Sequence, residues 1–445
     1  MLRLDDGTEL FLGKRLAKAG EGEIYDIASH PQWVAKIFHT TLRGLDAKRD
    51  KVKAMTLSPP KGAVQPNGFV VLTWPQHVIT DGHVVAGYVM PKIDTARTVE
   101  IHALTNPTSR KSPHPNSPQW PRKASWKFLL NVAGNLCLAV ETVHKVDAVI
   151  GDFQERNILV SDTSRVTLVD CDSMQFTEQS GRTFGCHVGR PEFSAPEVLR
   201  GHNNDPRRKS SDLFALAIHI HLLLMEGNHP FSRGKWNGTG DQPSISTLAH
   251  GGHWAGGPGS RLAAHPLAPT PAMLPPELRT LFVDAFTRGA TNPGWRPDAS
   301  QWRQVLMRMD AYTTTCSRDP SHAYSTNNTS CPWCVIDSER KARQVRNARR
   351  RSRAGGVPPR VASPTRARSP QGVRGGQPAR YPPPPPSPFS VRGGQPIWHP
   401  PNPYGPNMAP GRVRSSNTLA TVTVFVVAIA IGLAVVAIVV LMMTG

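Results

Sequence analysis

The chain has 445 residues, of which 19% are charged and 39% hydrophobic, and its 52 Lys and Arg against 32 Asp and Glu give a formal net charge of +20. Length alone predicts two or three domains, but residues 340–416 hold fifteen Arg, one Lys and no acid, so +16 of the +20 sits in that stretch. The remainder carries about +4, which excludes a polycationic globular body and makes the high pI the property of a tail.

Residues 8–92 read as strands with one helix. Leu10-Phe11-Leu12 and Ile24-Tyr25-Asp26-Ile27 flank a glycine turn, and Trp33-Val34-Ala35-Lys36-Ile37-Phe38 is a compact apolar strand. Residues 42–55 have helical composition. Residues 69–74 and 83–90 read as further strands, with Asp81-Gly82 as a hairpin signal. From Trp126 onward the apolar spacing becomes helical, over 128–144, 213–225 and 278–286. A β-rich third followed by an α-rich remainder predicts two lobes of α+β type rather than an alternating βα sheet.

Residues 232–276 are dense in Gly, Pro and His and read as an irregular insert, whose His250, His253 and His265 could bind metal, although scattered loop histidines usually do not. Residues 337–416, basic and then Pro-rich with five prolines over 382–386, hold too few apolar side chains to bury a core. They are expected to be a disordered spacer, partly stiffened by polyproline. Residues 418–443 are 26 in a row without a charge, against the roughly 20 that a membrane-spanning helix needs. Arg412 and Arg414 precede that run, so the positive-inside rule places everything upstream in the cytoplasm, and the Met1-Leu2-Arg3-Leu4 start shows no export signal.

Three strings in fixed order carry the chemistry: Lys36 on its strand, Asp152 followed five residues later by Asn157, and Asp170 thirteen further on. Phosphoryl transfer asks a protein for positioning and charge compensation. A lysine on a rigid strand supplies a cation for triphosphate oxygens. Asp170 and Asn157 offer the hard oxygen ligands that magnesium takes. Asp152 is a carboxylate able to orient a hydroxyl and accept its proton. Gly20 and Gly22, in Lys18-Ala19-Gly20-Glu21-Gly22-Glu23, form a turn whose backbone could approach phosphate.

With these residues in hand, 8–310 resembles a protein kinase of the eukaryotic-like bacterial type, with an N-lobe at about 8–92 and a C-lobe at about 93–310. Asp152 to Val160 resembles the catalytic loop, Val166 to Asp172 the metal-binding turn and its strand, and Gly189 to Glu197 (ending Ala195-Pro196-Glu197) the end of the activation segment. The resemblance implies bound ATP and Mg2+, and transfer to Ser or Thr of protein substrates. It also implies that Asp212 steadies the catalytic-loop backbone and that Arg296 pairs with Glu197. Gly-Asp-Phe before the loop, Asp-x-Asp-Ser at 170–173 and Cys-Pro-Trp-Cys at 331–334 are most similar to a bacterial subgroup labelled as kinases with a helix-hairpin-helix DNA-binding region. A PP2C-type phosphatase and a von Willebrand A-type protein are the partners this implies. No helix-hairpin-helix follows the knuckle here.

Several family positions differ. Ile150-Gly151 replaces His-Arg, which removes the usual cation for an activation-loop phosphate. Gln154 and Arg190 replace the Lys and Thr that help clamp the transferring phosphate, and Ala17 and Ala19 replace the first glycines of the phosphate loop. No glutamate is placed to hold Lys36, for which Asp46 or Asp50 are the candidates. These losses raise an alternative reading, an ATP-binding pseudokinase scaffold that recruits a phosphatase or other partner to the membrane.

Cys316, His322, Cys331 and Cys334 make a closed Cys3His set over 313–336, which favours structural zinc; a Cys331–Cys334 redox pair competes. Cys137, Cys171 and Cys186 lack ligand spacing. The basic tail suits anionic membrane lipid. Few aromatics interleave its arginines, which disfavours nucleic acid, although a membrane-anchored nucleic-acid-binding protein is a third class of reading. Ser363, Thr365 and Ser369 are candidate autophosphorylation sites in that tail.

Overall fold

The computed structural model describes residues 1–201 and 205–354. Of the stretch 337–416 expected to be a disordered spacer, residues 337–354 are instead helical, continuing a helix that starts at Pro332 and is anchored through Arg340 to Glu226; the rest of that stretch, with its three candidate phosphorylation sites, and the apolar run 418–443 lie outside the described residues. Among those described, no helix is long and apolar enough to cross a membrane.

Six strands form one antiparallel sheet: β1 (Leu2–Leu4), β2 (Leu12–Lys18), β3 (Gly22–Ile27), β4 (Trp33–Phe38), β5 (His77–Asp81) and β6 (Val84–Pro91). Their order is β1-β5-β6-β4-β3-β2. The hairpin expected at Asp81-Gly82 joins β5 to β6, with Gly82 in the left-handed region (φ 60°). Strand β4 lies between β3 and β6, Lys36 facing Ile24 on one side and Tyr88 on the other. Lys36 is therefore fixed by two ladders rather than held on a loop.

Helix α1 (Leu45–Thr56) follows a left-handed Gly44 and packs Val52 and Met55 inward. Residues 69–74, expected to be a strand, belong to no sheet. They bridge instead to the other lobe: Leu72 pairs with Leu168 and the Thr73 amide donates to the Leu168 carbonyl at 3.0 Å. Val71, Leu72 and Trp74 are buried there, so the apolar run reflects a lobe-to-lobe seam.

The second lobe is built on α2 (Trp126–His144) and α3 (Lys209–Leu224). Ser125 caps α2 by accepting from the Phe128 amide, and the helix buries Leu129, Leu136, Val140 and Val143. Helix α3 is buried on every side, the signature of a central core helix. Each large apolar side chain buried here contributes about 1.5–3 kcal/mol. A three-stranded sheet, β7 (Thr98–Glu100), β8 (Ile158–Ser161) and β9 (Val166–Leu168), lies beside α2, and the turn that carries Asp170 leaves from the end of β9.

The expected helix over 278–286 is α4 (Pro276–Val283), which then widens into a five-residue π turn over Asp284–Arg288. The 232–276 segment is mostly irregular, as expected, but it is more than surface: Trp254 and Leu262 are buried, Trp254 against Phe282 and Phe286. Helix α5 (Ala299–Arg308) packs along α2. Two short strands, Thr313–Thr315 and Ala323–Ser325, then lead into α6 (Pro332–Ala354). The Cys/His segment is fastened to the second lobe, since Trp333 is buried 6.4 Å from Trp126 and donates to the Ala323 carbonyl at 2.7 Å.

Candidate active site

A cleft of about 1260 Å³ opens between the two lobes, lined among others by Gly20, Glu21, Lys36, Asp152, Asn157 and Asp170. That volume exceeds what a nucleotide-sized ligand fills. Its inner walls are apolar, with Leu16, Ile24 and Val34 from the sheet and Leu159 from the second lobe, a slot suited to a flat ring system.

The four side chains singled out from sequence converge in it. Lys36 Nζ lies 2.8 Å from Asp170 Oδ1, across 134 residues of chain. Asp170 sits in the left-handed region (φ 59°, ψ 38°), a conformation that an Asp tolerates and that here turns its carboxylate into the cleft. Asn157 Nδ2 donates to the Asp152 carbonyl at 2.9 Å and to its carboxylate at 3.2 Å. Its amide nitrogen thus faces Asp152, leaving Oδ1 as its ligand atom. Asp170 and Asn157 are hard oxygen donors of the type magnesium takes. Gln154 Nε2 also donates to Asp152 Oδ2, at 2.6 Å, where the family pattern has a lysine.

The loop carrying Asp152 is held from beneath. Asp212, on buried α3, accepts from the Ile150 amide at 2.7 Å and the Gly151 amide at 3.0 Å, and pairs with His144 at 2.9 Å. Arg296 meets Glu197 with both terminal nitrogens, at 2.6 and 2.7 Å, while donating to the Gly289 and Ser210 carbonyls. Burial would raise the Glu197 carboxyl, but the Arg296 guanidinium holds it below its ordinary value. Both placements agree with the roles implied by the resemblance.

The glycine pair divides. Gly20 lines the cleft, whereas Gly22 does not: a Cβ there would lie 2.3 Å from the Ile37 carbonyl, so its role is to let β3 approach β4. Gly151 has a steric reason too. It adopts φ 69°, and a Cβ would meet Cys186 Sγ at 2.7 Å and the Arg207 guanidinium at 3.3 Å. Arg207 donates to the Gly151 carbonyl at 2.6 Å and the Val188 carbonyl at 2.7 Å, tying the catalytic loop to the following segment.

Neither Asp46 nor Asp50 is the partner of Lys36. Asp46 pairs with Arg49 on the exposed side of α1, and Asp50 with Arg182. Instead both carboxylate oxygens of Asp172 lie 2.9 Å from Lys36 Nζ. Asp172 also pairs with Lys48 at 2.9 Å and accepts from the Tyr88 hydroxyl at 2.7 Å. Burial would raise the Asp172 carboxyl; the ammoniums of Lys36 and Lys48 override it and hold the group far below the carboxylate range. Burial likewise opposes the charge on Lys36, and Asp172 with Asp170 keeps it protonated. Glu21, at the tip of the β2–β3 turn, reaches the same cluster, pairing with Lys48 and standing 3.8 Å from Lys36. The inward periodicity of α1 through Val52 and Met55 points to position 48, a signal that would have excluded 46 and 50.

Cys316, His322, Cys331 and Cys334 bring one ligand atom each to within 4.8 Å of one another. Cys316 Sγ and Cys334 Sγ are 3.6 Å apart, and His322 Nδ1 lies 3.7 Å from Cys331 Sγ and 3.6 Å from Cys334 Sγ. These are the edges of a tetrahedron with ~2.3 Å metal–sulfur bonds, and far from the ~2.05 Å of a disulfide. His322 Nε2 faces Asp337 at 3.4 Å and Asp319 at 3.6 Å, the outer carboxylates that orient a metal-binding imidazole. The set could hold zinc.

Residues 123–249 match the protein kinase domain family. Protein kinase YegI of Escherichia coli K12 is 30% identical over 334 residues, 74% of this chain and 49% of the relative. The mouse serine/threonine-protein kinase Nek3 is 26% identical over 173 residues, 39% of this chain and 29% of Nek3. PknK, a serine/threonine-protein kinase of Mycobacterium bovis, is 29% identical over 99 residues, 22% of this chain and 9% of PknK. The chain spans about half the length of the YegI proteins it matches.

Proposed function

On the premise that this chain carries a protein kinase domain, we propose that it transfers the ATP γ-phosphate to Ser or Thr hydroxyls of proteins. The observation that carries the reading is the meeting of Lys36 and Asp170 across the cleft, beside an Asp152 bound to Asn157. Lys36 presents its ammonium to phosphate oxygens. Asp170 and Asn157 hold magnesium, which supplies charge neutralisation on the phosphates. Asp152 orients the acceptor hydroxyl and takes its proton, while Asp212 keeps the loop backbone at the height this requires. The apolar slot beneath Val34 accepts the base.

The Cys3His set holds a structural zinc that braces the second lobe. Residues 418–443 tether the kinase unit to a membrane, with the cleft on the cytoplasmic side and the basic stretch drawn to anionic lipid. A PP2C-type phosphatase and a von Willebrand A-type protein are the partners the family resemblance supports. Fractionation of cells expressing the chain with and without 418–443 tests the tether: equal partition into the soluble fraction refutes it.

A second reading, a nucleotide-binding scaffold without transfer, is favoured by Gln154, which hydrogen-bonds the very carboxylate that the reaction needs. Labelled ATP and a protein acceptor separate the two. The wild type transfers phosphate, and Asp152→Ala and Asp170→Ala lose about 10²–10⁴ of the rate. If all three bind nucleotide alike and none transfers, the scaffold reading replaces the kinase one.

A further inference from the structure

We propose that Asp172 is the residue that positions Lys36 for nucleotide binding, a task for which α1 supplies no acid. The inference rests on the kinase reading above and deepens it. An ammonium buried as deeply as that of Lys36 needs a carboxylate partner that stays with it. The face of α1 turned toward the cluster presents Lys48, Lys51, Val52 and Met55, two cations and no anion. Asp46 and Asp50 are engaged elsewhere, with Arg49 and Arg182.

The two carboxylates that do touch Lys36 differ in kind. Asp170 is over a third exposed and meets Lys36 through one oxygen, from the open side of the cleft. Asp172 is fully buried, meets it through both oxygens, and is itself fixed by Lys48 and by the Tyr88 hydroxyl from β6. Asp170 is free to turn to a metal; Asp172 is not. Lys36 is thus aimed by a carboxylate of the turn after β9 rather than by an acid of α1. Lys48 reaches the same carboxylate at 2.9 Å and its backbone carbonyl at 3.1 Å, so α1 joins the cluster as a cation.

The geometry makes a transposition experiment decisive. Position 48 lies within contact of the Asp172 carboxylate, so a carboxylate placed there would face Lys36 from the other side. Affinity for a fluorescent ATP analogue is measured in the full chain for the wild type, Asp172→Asn, Lys48→Glu and Lys48→Glu/Asp172→Asn, with melting curves for each. Asp172→Asn weakens binding about tenfold or more, and the double variant recovers to within about threefold of wild type, a coupling between contacting residues that a structural role alone does not produce. A folded Asp172→Asn protein that binds like wild type overturns the proposal. So does a double variant that fails to recover binding, whether folded or not. Transfer is assayed in parallel: a wild type that binds but transfers nothing defeats the kinase reading, while the affinity pattern still decides the role of Asp172.

Discussion

Two histidines on the central helix make stability fall with mild acid. His219 Nε2 is 2.8 Å from the Phe153 carbonyl, and His221 Nδ1 is 2.9 Å from the Asn228 carbonyl. In each ring the second nitrogen is buried without a partner. His219 lies against Phe153 and Phe193, and His221 against Trp254, Phe282 and Phe286. Charging either ring would put a second N–H into apolar surroundings. Burial accordingly pushes His219 down to about 4 and His221 down to about 3; the Phe153 carbonyl and Glu155 for the first, and the Asn228 carbonyl for the second, oppose this too weakly to reverse it, and His229 adds to the drop in both.

The sign follows from linkage. An unfolded histidine takes up its proton near pH 6.5, and these folded ones do not until well below pH 5. The unfolded state therefore binds more protons throughout that interval, and stability present above pH 6.5 is lost as pH falls toward the folded values. At pH 5 each ring costs about 2 kcal/mol, from roughly 1.4 kcal/mol per pH unit over about 1.5 units. The pair removes about 4 kcal/mol from a total stability of about 5–15. Urea unfolding of the kinase unit between pH 7.5 and 5 measures this, a window that lies above most carboxylate titrations. The reasoning fails if stability is flat over that range, or if His219→Gln/His221→Gln loses as much on acidification as the wild type.

Other expectations are more local. Arg296→Met leaves Glu197 half-buried without its bidentate partner and lowers unfolding free energy by about 3–5 kcal/mol, read by denaturant melts. Cys334→Ser, or a strong chelator, releases one equivalent of zinc by elemental analysis and lowers the melting temperature, whereas zinc-free protein with an unchanged melt refutes a structural metal. Glu21→Gln removes a carboxylate that competes with phosphate for Lys36 and Lys48, so nucleotide affinity rises by about threefold to tenfold in calorimetry. Gly151→Ala, forced against Cys186 and Arg207 in the left-handed region, slows transfer more than it weakens nucleotide binding.

Much of the site was legible because its parts are fixed by short spacings. Asp152, Asn157 and Asp170 are set apart by a tight loop and two paired strands that fold back on each other, so a fixed spacing along the chain brings all three to one cleft. Cys331 and Cys334 are similar, one turn of α6 apart. What the chain order hid was a set of contacts made only when neighbouring strands pair or one lobe folds on the other. The 69–74 run has the apolar pattern of a strand yet pairs with Leu168 across the seam. Gly22 looked like its neighbour Gly20 but answers to a carbonyl on β4. Asp172 stood in plain view two residues after Asp170, and its tie to Lys36, 136 positions away, exists only once the cleft closes.

Helix α6 has a consequence of its own. Its first turn is riveted to the body through Trp333 and Ile336, and Arg340 clamps Glu226 and the Leu267 carbonyl; from Arg343 to Arg350 it stands in water. Twenty-three residues of helix measure about 35 Å, so the chain leaves along a stiff mast instead of fraying from the surface.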